Sequence, residues 1–383
     1  MWFNRFVYIT ISAAAVAAFL LTDSSAALFL CLCLAALPPV SFVLLSIAVK
    51  RVKFDYEIRE ACMRGKPLDI TLSARLSPRF LAGAVHVVLE IENSTFHKTA
   101  RKKFVFRDLS GATHVYDYVS ADSGRIAVRV KSVRLLDIFG VFALGVRCHK
   151  FAESIVSPVL YEGVSVSLSA GRAAFLGDVT LPEKGNDSTE VFNVRDYAAG
   201  DSLHSIHWKL SCKFDSLKTK EYGSSYDRQT LILVDMSRRK YKDAASDEQL
   251  NGVLDAAVTL SNALKEEGCV HSVGWFEEGT FYSSEVSDGA TFVQTVFALM
   301  SIKVNETNEQ TLLFSSRTPA CAAFTKIVFI TAAVSAEELR LHADLGVTAL
   351  CVGASSGETE ENGVKIVYTT YKDLGAQLAR CVL

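Results

Sequence analysis

The residues best suited to covalent or metal chemistry lie close together near the middle of the chain, at His204, His207 and Cys212. A Cys–His pair can act as a nucleophile when a third group orients the base. Two histidines on one helix face can bind a metal ion when further ligands lie nearby. The sequence around them offers neither a third catalytic group nor a third ligand. We therefore predict no catalytic residue and no bound metal at this place.

Motifs for nucleotide chemistry are missing from the sequence. It contains neither a Gly-x-Gly-x-x-Gly motif nor a Gly-Lys-Ser/Thr loop, which argues against dinucleotide and P-loop nucleotide binding. We also predict no serine nucleophile elbow. No small-molecule substrate is identified, and an enzymatic role as a hydrolase or transferase is kept only as a second alternative.

Composition bounds the class of protein. The 383 residues are 50% hydrophobic and carry a net charge of −2. A chain of this length suits two soluble domains with additional segments. The nearly neutral charge provides no extended basic surface, so we predict no nucleic-acid partner. The nine cysteines form no Cys-x-x-Cys pair, which indicates reduced thiols in a reducing compartment.

Two apolar stretches, residues 6–21 and 26–49, predict a transmembrane hairpin over residues 1–53. A membrane-spanning helix needs about 20 apolar residues. A polar turn at residues 22–25 separates the stretches. Pro38 and Pro39 lie within the second stretch, where contacts with a neighbouring helix can accommodate them. The lipid bilayer is therefore an expected partner.

Basic residues flank the hairpin on one side. Arg5 precedes the first apolar stretch, Lys50, Arg51 and Lys53 follow the second, and the turn carries only Asp23. The positive-inside rule then places both termini and the large domains of a multi-pass protein in the cytoplasm. A cleaved signal peptide ending at the turn is the alternative. The reduced-cysteine pattern argues against it.

Residues 54–165 read as a β-rich domain. Apolar and polar side chains alternate over short runs at 68–74, 85–92, 104–106, 115–119 and 125–130. Turn signals separate these runs and no helical pattern intervenes, which predicts an antiparallel β-sandwich. The basic run 101–103 is expected in a turn or at a sheet edge.

Residues 227–383 alternate between strand and helix patterns. Strands are predicted at 229–235, 270–276, 326–331 and 347–353, and helices from Ser246 to Gly268 and at 291–302, 336–343 and 371–382. This alternation predicts a doubly wound, mostly parallel sheet, so the whole chain combines α+β and α/β domains. Asp235 ends the first strand, at the sheet edge where α/β sites form.

The connector between these domains, residues 166–226, holds a dense run of aromatic, charged and glycine residues. The run comprises Arg195, Tyr197, Gly200, Asp201, Ile206, Trp208, Lys209 and Ser211. One interpretation is structural, with a chain reversal at Gly200, Trp208 filling a gap and Arg195 paired with an acid. The other makes the run a docking surface for a partner. Both can hold together.

The connector resembles the signature of the family known as domain of unknown function fifty-eight, Arg-x-Tyr-x-x-Gly-Asp-x-x-Arg-x-Ile-x-Trp-Lys-x-Ser-Ala-Arg. Residues 133–142 resemble the family's Asp-Pro-Phe-Gly-Leu-Phe segment, and residues 157–159 its strand ending in Pro. Hairpin, β domain and α/β domain follow the family's order, so the resemblance covers the whole chain. It implies a von Willebrand A-like α/β domain and a MoxR-type AAA ATPase as partner.

The chain departs from the family pattern at four positions of the connector, one of which is Val191 in place of a usual Phe. His204 replaces an Arg, Cys212 an Ala and Lys213 an Arg. Histidine lacks the bidentate fork of Arg, so a partner bound through position 204 would be held less tightly. Because Cys212 replaces Ala, the family's usual chemistry does not depend on a thiol there.

The resemblance also implies a place where von Willebrand A domains hold Mg²⁺, through Asp-x-Ser-x-Ser plus a later Thr and Asp. Asp235 and Ser237 are present, whereas Arg239 replaces the second Ser and Thr331 begins a segment without the later acid. Thr291 is a candidate for the Thr. An Arg beside Asp235 can neutralise its carboxylate. We predict a degenerate, metal-free site without a cofactor, and Mg²⁺ binding is the alternative.

These features together predict a membrane-anchored, non-enzymatic scaffold or adaptor. The resemblance implies that it acts with a MoxR-type AAA ATPase in the assembly or maturation of other proteins. A metal-dependent, ligand-binding von Willebrand A domain protein is the alternative, and an uncharacterised hydrolase is the second alternative.

Overall fold

A computed structural model of the chain describes residues 2–22, 24–78, 82–148, 150–164, 191–196, 206–207, 211, 217–222, 230–240, 243–244, 246–305, 321, 324, 326–334, 347–353, 355–361 and 364–379. The chain divides into two compact units. Unit 1 comprises Met1–Val159 and Val296–Val304, and unit 2 comprises Leu160–Thr295 and Asn305–Leu383.

Unit 1 begins with two long apolar helices, α1 (Trp2–Thr22) and α2 (Ser25–Arg51). Both have the length and composition to cross a membrane. The Ser24 side chain accepts a hydrogen bond from the backbone N–H of Ala26 and so caps α2. Both helices extend beyond the predicted apolar stretches, because polar residues at the ends of each stretch continue the helical backbone.

The hydroxyl of Tyr8 compensates for a proline inside α2. Pro38 has no backbone N–H, so the carbonyl of Leu34, one turn earlier, lacks its usual helical donor. Tyr8 Oη donates to that carbonyl at 2.6 Å. The neighbouring-helix contact predicted to accommodate Pro38 is thus a hydrogen bond from α1.

The C-terminal part of α2 packs into the core of unit 1. Ser41, Leu45, Ala48 and Val52 are buried and recur at helical spacing, whereas Ile47 on another face is 39% exposed. Leu45, Ala48 and Val52 belong to the same core cluster as the β-strands. The apolar stretch predicted as a single span over 26–49 is therefore shared between an exposed part and a part inside the protein core.

Nine strands complete the regular structure of unit 1 in the described residues. They are β1 (Lys53–Ile58), β2 (Ala61–Met63), β3 (Pro67–Arg75), β4 (Ala84–Asn93), β5 (Lys98–Phe106), β6 (Ser110–Val119), β7 (Gly124–Leu136), β8 (Ala143–Val146) and β9 (Phe151–Ser157). One sheet has the order β1-β3-β6 and the other the order β2-β9-β7-β4-β5, with β8 paired to β7. All pairs are antiparallel except β2 with β9.

The two sheets contribute to one hydrophobic core. Alternate residues of β3 and β4 are buried, among them Leu68, Ile70, Val85 and Val87. Their period of two is the pattern from which the sequence predicted these strands. The basic run 101–103 lies in β5, at a sheet edge, which is one of the two locations predicted for it.

Asp137 anchors the turn between β7 and β8 to α2. Its side chain is only 2% exposed. Ser41 Oγ donates to Asp137 Oδ2 at 2.6 Å, and the backbone N–H of Phe142 donates to Oδ1 at 2.8 Å. Gly140, with φ of 67°, closes the turn in a conformation that favours glycine. The segment that resembles the family's Asp-Pro-Phe-Gly-Leu-Phe is therefore this docked turn.

Residues 300–304 also belong to unit 1 and are held by its strands. Thr95 Oγ1 donates to the carbonyl of Met300 at 2.9 Å. The backbone N–H of Val304 donates to the carbonyl of Thr95 at 2.8 Å, and that of Arg125 to Met300 at 3.1 Å. Arg125 Nη2 also bonds Ser301 Oγ at 2.9 Å. A segment distant in sequence thus completes this unit.

The described residues of unit 2 form two small two-stranded sheets and one large sheet. Its strands are β10 (Val191–Asp196), β11 (Lys218–Tyr222), β12 (Thr230–Val234), β13 (Arg239–Lys240), β14 (Asp243–Ala244), β15 (His271–Glu277), β16 (Thr280–Val286), β17 (Lys326–Thr331), β18 (Val347–Gly353), β19 (Gly357–Glu361) and β20 (Val364–Thr370). The seven-stranded sheet has the order β16-β15-β12-β17-β18-β20-β19. Its five inner strands are parallel, and the edge strands β16 and β19 pair antiparallel.

The described helices that begin in unit 2 are α3 (Asp247–Glu266), α4 (Gly289–Leu299), whose last four residues belong to unit 1, and α5 (Leu374–Leu378). Ser246 and Gln249 form a reciprocal capping box at the start of α3. Nearly all of the apolar side chains of α3 are buried. Gly252 allows the helix to approach the sheet, since a Cβ there would lie 2.8 Å from Val352 Cγ1.

Two sequence predictions for the C-terminal region were incomplete. The closing helix predicted at 371–382 begins at Leu374, after a turn in which Asp373 N bonds Thr370 Oγ1. The strands β19 and β20 were not predicted. The acidic residues of β19 suggest a solvated loop, but the backbone of β19 pairs with β20 at the edge of the sheet. The helix predicted at 336–343 lies outside the described residues.

Candidate functional site

The connector signature begins on the β10–β11 hairpin. The backbone of Arg195 pairs with Thr219, and that of Asp196 with Lys218. Tyr197, Gly200, Asp201, Trp208 and Lys209 lie outside the described residues, as do His204 and Cys212 of the predicted Cys–His arrangement. The structure therefore describes the signature at Arg195, through its backbone, and at Ile206 and Ser211.

Ser211 fastens the second half of the signature to β11. Its backbone N–H donates to the carbonyl of His207 at 3.0 Å, and the backbone N–H of Lys218 donates to Ser211 Oγ at 2.9 Å. His207 N–H returns a bond to the Lys218 carbonyl at 2.8 Å. Ile206 is 3% exposed and bridges to Thr219. These hydrogen bonds fix the backbone around Ile206 and Ser211, whereas Gly200, Trp208 and the side chain of Arg195, on which the structural interpretation of the connector rests, lie outside the described residues.

Asp235 lies at the carboxyl end of β12, beside the end of β17. Val234 pairs in parallel register with Ile330, so the next residues on each strand, Asp235 and Thr331, are neighbours. The backbone N–H of Asp235 also donates to the carbonyl of Ile330 at 3.0 Å. The carboxyl ends of adjacent parallel strands are the usual place for sites in α/β sheets.

Both carboxylate oxygens of Asp235 accept hydrogen bonds from the protein. Ser237 donates to Oδ1 through its hydroxyl at 2.7 Å and through its backbone N–H at 3.1 Å. Thr331 Oγ1 donates to Oδ2 at 2.8 Å. The three side chains are at most 4% exposed. The arrangement fixes a buried carboxylate with charge-assisted hydrogen bonds.

Of the two arginines after Ser237, the side chain of Arg238 is described and contacts α3. Arg238 Nη2 pairs with Asp247 Oδ1, in the first turn of α3, at 2.7 Å. Arg239 opens β13, and its side chain lies outside the described part of the chain. Thr291, the candidate ligand from a later loop, bonds Asp288 Oδ1 at 2.9 Å. The threonine hydroxyl that donates to Asp235 is that of Thr331, at the end of β17.

The residues around Asp235 fit a dedicated Mg²⁺ site poorly. Mg²⁺ in proteins is usually held by one or two carboxylates together with several waters. In the part of the chain that the structure describes, one carboxylate is present here and both of its oxygens accept protein donors. Within the described ranges, no group of three or more His, Cys, Asp or Glu side chains could hold a metal ion. The hydroxyls of Ser237 and Thr331 stabilise the carboxylate by donating to both of its oxygens.

A Gly-x-Ser-x-Gly string does occur in the sequence, at residues 353–357. Nucleophile elbows place the Ser between a strand and a helix. Ser355 instead lies in an exposed turn between β18 and the edge strand β19. The string therefore lacks the setting that activates a serine nucleophile.

Thr331 is the residue that sequence reasoning overlooked. The sequence after Ile330 lacks the expected acid, and the hydroxyl of Thr331 was not predicted as a partner of Asp235. The signal was available, because both residues end predicted parallel strands. Adjacent strands in register bring such residues together.

Residues 193–279 match the family model described as Protein of unknown function DUF58. A search of curated proteins found no match. The matched range runs from β10 to the turn between β15 and β16 and includes both the connector signature and Asp235. The chain is thus similar to the DUF58 family over the region that carries its signature.

Proposed function

We propose that the protein is a membrane-anchored, non-enzymatic adaptor that acts with a MoxR-type AAA ATPase in the assembly or maturation of other proteins. The observation that carries the proposal is the DUF58 match over residues 193–279, which contains the connector signature. The partnership with an ATPase comes from the resemblance to that family and is an association, not a mechanism.

The arrangement of unit 1 supports the anchoring part of the proposal. Its two apolar helices are long enough to cross a membrane. Leu45 and Ala48 tie the second helix into the core of the strands. An anchor of this kind would hold the β-rich part at the membrane surface, with both termini and the large domains in the cytoplasm.

Strand order supports the finer fold assignments. The parallel centre of the seven-stranded sheet, with an acid at the end of β12, is in keeping with a von Willebrand A-like domain. The two sheets that share one core in unit 1 are in keeping with a β-sandwich. The hydrogen bonds of Asp235 favour a structural role for that carboxylate, as an adaptor domain needs.

Crosslinked affinity capture from native membranes tests the partnership. The wild-type chain is compared with Arg195→Ala/Asp201→Ala, which removes one charge of each sign from the signature. Lys102→Ala/Glu285→Ala is the matched control, because it removes one exposed charge of each sign elsewhere. Folding of each variant is checked by circular dichroism. We expect a AAA ATPase with the wild type and the control, and its loss from the connector variant.

Each other outcome changes a different part of the proposal. Equal recovery from all three proteins would leave the adaptor role standing and restrict the connector to packing. Absence of an ATPase from every sample would overturn the partnership.

A metal-dependent, ligand-binding A domain is the second candidate. It is favoured by the convergence of three oxygen-bearing side chains, Asp235, Ser237 and Thr331, at one sheet edge. Calorimetric titration with Mg²⁺ distinguishes the two candidates. We expect no heat of binding. Micromolar affinity that is lost in Asp235→Ala would establish the metal-dependent candidate instead.

A further inference from the structure

The turn between β7 and β8 presents apolar side chains beside the first residues of α1. Ile138 is 53% exposed and Phe139 is 49% exposed. The turn is held to the helix by side-chain hydrogen bonds, from Asn4 Nδ2 to the carbonyl of Phe139 and from Arg5 Nε to that of Val141, both at 2.9 Å. The turn therefore lies level with the first turns of α1.

Several polar groups of this turn are hydrogen-bonded within the protein. The carbonyl of Asp137 accepts from Gly140 N–H at 3.0 Å, and the carbonyl of Phe142 accepts from Asp137 N–H at 3.2 Å. The buried Asp137 carboxylate accepts from Ser41 and from Phe142 N–H. Backbone outside helices is tolerated at membrane depth only when its polar groups are satisfied within the protein. The bonded groups of the turn meet that condition, and its apolar side chains Ile138 and Phe139 are exposed.

Helix length sets the depth of the turn. The hydrocarbon core of a bilayer is about 30 Å thick. The whole of α1, with its 21 residues, is about 31 Å long at 1.5 Å per residue. The part of α1 beyond Tyr8, residues 9–22, is only about 21 Å long. If α1 spans the bilayer, residues 9–22 alone are too short, so the first turns of α1 must also lie in the membrane. A tilted helix would cover even less of the bilayer thickness.

The second helix leads to the same depth. Tyr8, Leu37, Pro38, Ser41 and Asp137 line one small cavity, so the turn lies level with this part of α2. Only residues 25–36 of α2, about 18 Å, extend beyond this level. The turn at 137–142 therefore cannot lie in bulk water above the membrane if both helices cross it.

We propose that the turn at 137–142 is a third membrane contact, in which Ile138 and Phe139 insert into the boundary between headgroups and acyl chains. The occupant of this apolar surface is the same bilayer that α1 and α2 cross. The inference rests on the anchoring part of the proposed function and is independent of the ATPase partnership. It assigns a role to residues 137–142, whose sequence resembles a family motif.

Quenching by brominated lipid tests the contact in the full-length chain. Phe139→Trp is reconstituted into phosphatidylcholine and phosphatidylglycerol vesicles brominated near the headgroup end of the acyl chains. Phe151→Trp is the control, since Phe151 is similarly exposed at 51%. It pairs with Arg129 on β7, about 26 Å along the strand from Asp137. The emission of the native tryptophans is subtracted by means of the wild-type chain.

We expect brominated lipid to remove most of the added emission of Phe139→Trp and to leave that of Phe151→Trp unchanged. Unquenched emission at position 139, from a chain that resists alkaline carbonate extraction, would overturn the contact while anchoring stands. Blue-shifted but unquenched emission would show protein, such as a second copy, covering the turn and would also overturn it. A wild-type chain released by carbonate would overturn both the anchoring and the contact.

Discussion

At the scale of single residues, the buried carboxylate of Asp235 is held by hydroxyl groups on both of its oxygens. Ser237 and Thr331 supply hydroxyl donors to opposite carboxylate oxygens. A buried charge is tolerated only when it is paired or hydrogen-bonded. The two hydroxyls therefore contribute to the stability of the fold as well as to the geometry around Asp235.

We predict that Thr331→Val lowers the free energy of unfolding by about 1–3 kcal/mol, because a buried carboxylate oxygen loses a hydrogen-bond donor without a change in side-chain size. Thr331→Ser keeps the hydroxyl and serves as the control. Denaturant unfolding of the detergent-solubilised chain measures both. Equal stability of Thr331→Val and the wild type would mean that this hydrogen bond contributes nothing to stability.

His271 is a second buried polar residue with a defined state. It is 0% exposed, with Nδ1 at 2.9 Å from the Cys269 carbonyl and Nε2 at 2.8 Å from Ser261 Oγ. A carbonyl can only accept, so Nδ1 carries the proton of the neutral ring and Nε2 accepts from the hydroxyl. Burial lowers the pKa of His271, and the hydrogen bond to Cys269 opposes this effect only in part.

We predict that His271 makes the protein less stable as the pH falls below the ordinary histidine pKa of about 6.5. Below that value the unfolded chain binds a proton that the folded chain resists. The free energy of unfolding then falls by at most about 1.4 kcal/mol per pH unit. Thermal unfolding between pH 5 and 8 should show this loss in the wild type and less of it in His271→Gln.

His114→Gln, which removes an exposed imidazole, is the control for that measurement. A pH dependence identical in His271→Gln and the wild type would contradict the assignment to His271.

At the scale of elements, the helical hairpin depends on one hydrogen bond between its two helices. The Tyr8 hydroxyl bonds the Leu34 carbonyl that Pro38 leaves without a donor. In an apolar medium an unsatisfied carbonyl is costly. Measured side-chain hydrogen bonds between membrane helices nonetheless average about 0.6 kcal/mol, with a maximum near 1.7 kcal/mol.

We predict that Tyr8→Phe destabilises the hairpin by about 0.5–2 kcal/mol. The same change should have a smaller effect in a Pro38→Ala background, where residue 38 supplies its own N–H. A double-mutant cycle, measured by unfolding in mild detergent, isolates this coupling. Additive effects of the two substitutions would show that Tyr8 does not substitute for the missing helical donor.

The sequence predicted the elements better than their contacts. The apolar stretches, the alternation in β3 and β4 and the helix start at Ser246 follow from local patterns, and the structure has elements there. The edge strand β19 and the first part of β5 carry charged residues, so their pairing depends on tertiary context and has no periodic signal. The partner of Pro38 depends on how two helices cross, which a single sequence does not encode locally.

The candidate site shows the same division. Asp235 and Ser237 were found because they follow a recognisable strand, whereas Thr331 required knowledge of strand order. The contact of Ser41 with Asp137 joins positions far apart in sequence, within a motif that was identified only by resemblance. Long-range hydrogen bonds between polar residues leave no periodic trace from which to predict them.

At the scale of the whole molecule, the basic residues predict an orientation for the proposed membrane hairpin. Arg5, Lys50, Arg51 and Lys53 lie on one side of the hairpin and Asp23 on the other. The positive-inside rule predicts that the turn faces away from the cytoplasm.

We predict that a membrane-impermeant maleimide labels Asp23→Cys in right-side-out vesicles and does not label the wild type. Lys102→Cys, at an exposed position of β5, is the control and should react only after permeabilisation. Labelling of Lys102→Cys in intact vesicles, with protection of Asp23→Cys, would place the large domains outside.

Helix α2 continues from its exposed apolar part into the core of unit 1. The number of residues in the helix therefore fixes how the exposed part is rotated about the helix axis relative to the strands. One residue inserted between Val40 and Leu45 would turn the preceding helix by about 100° and shift it by about 1.5 Å relative to the strands. Asn4 and Arg5 would then face away from the turn they bind. Insertions of about seven residues, close to two helical turns, would nearly restore the azimuth. Length variation in this helix should therefore occur in steps of whole turns.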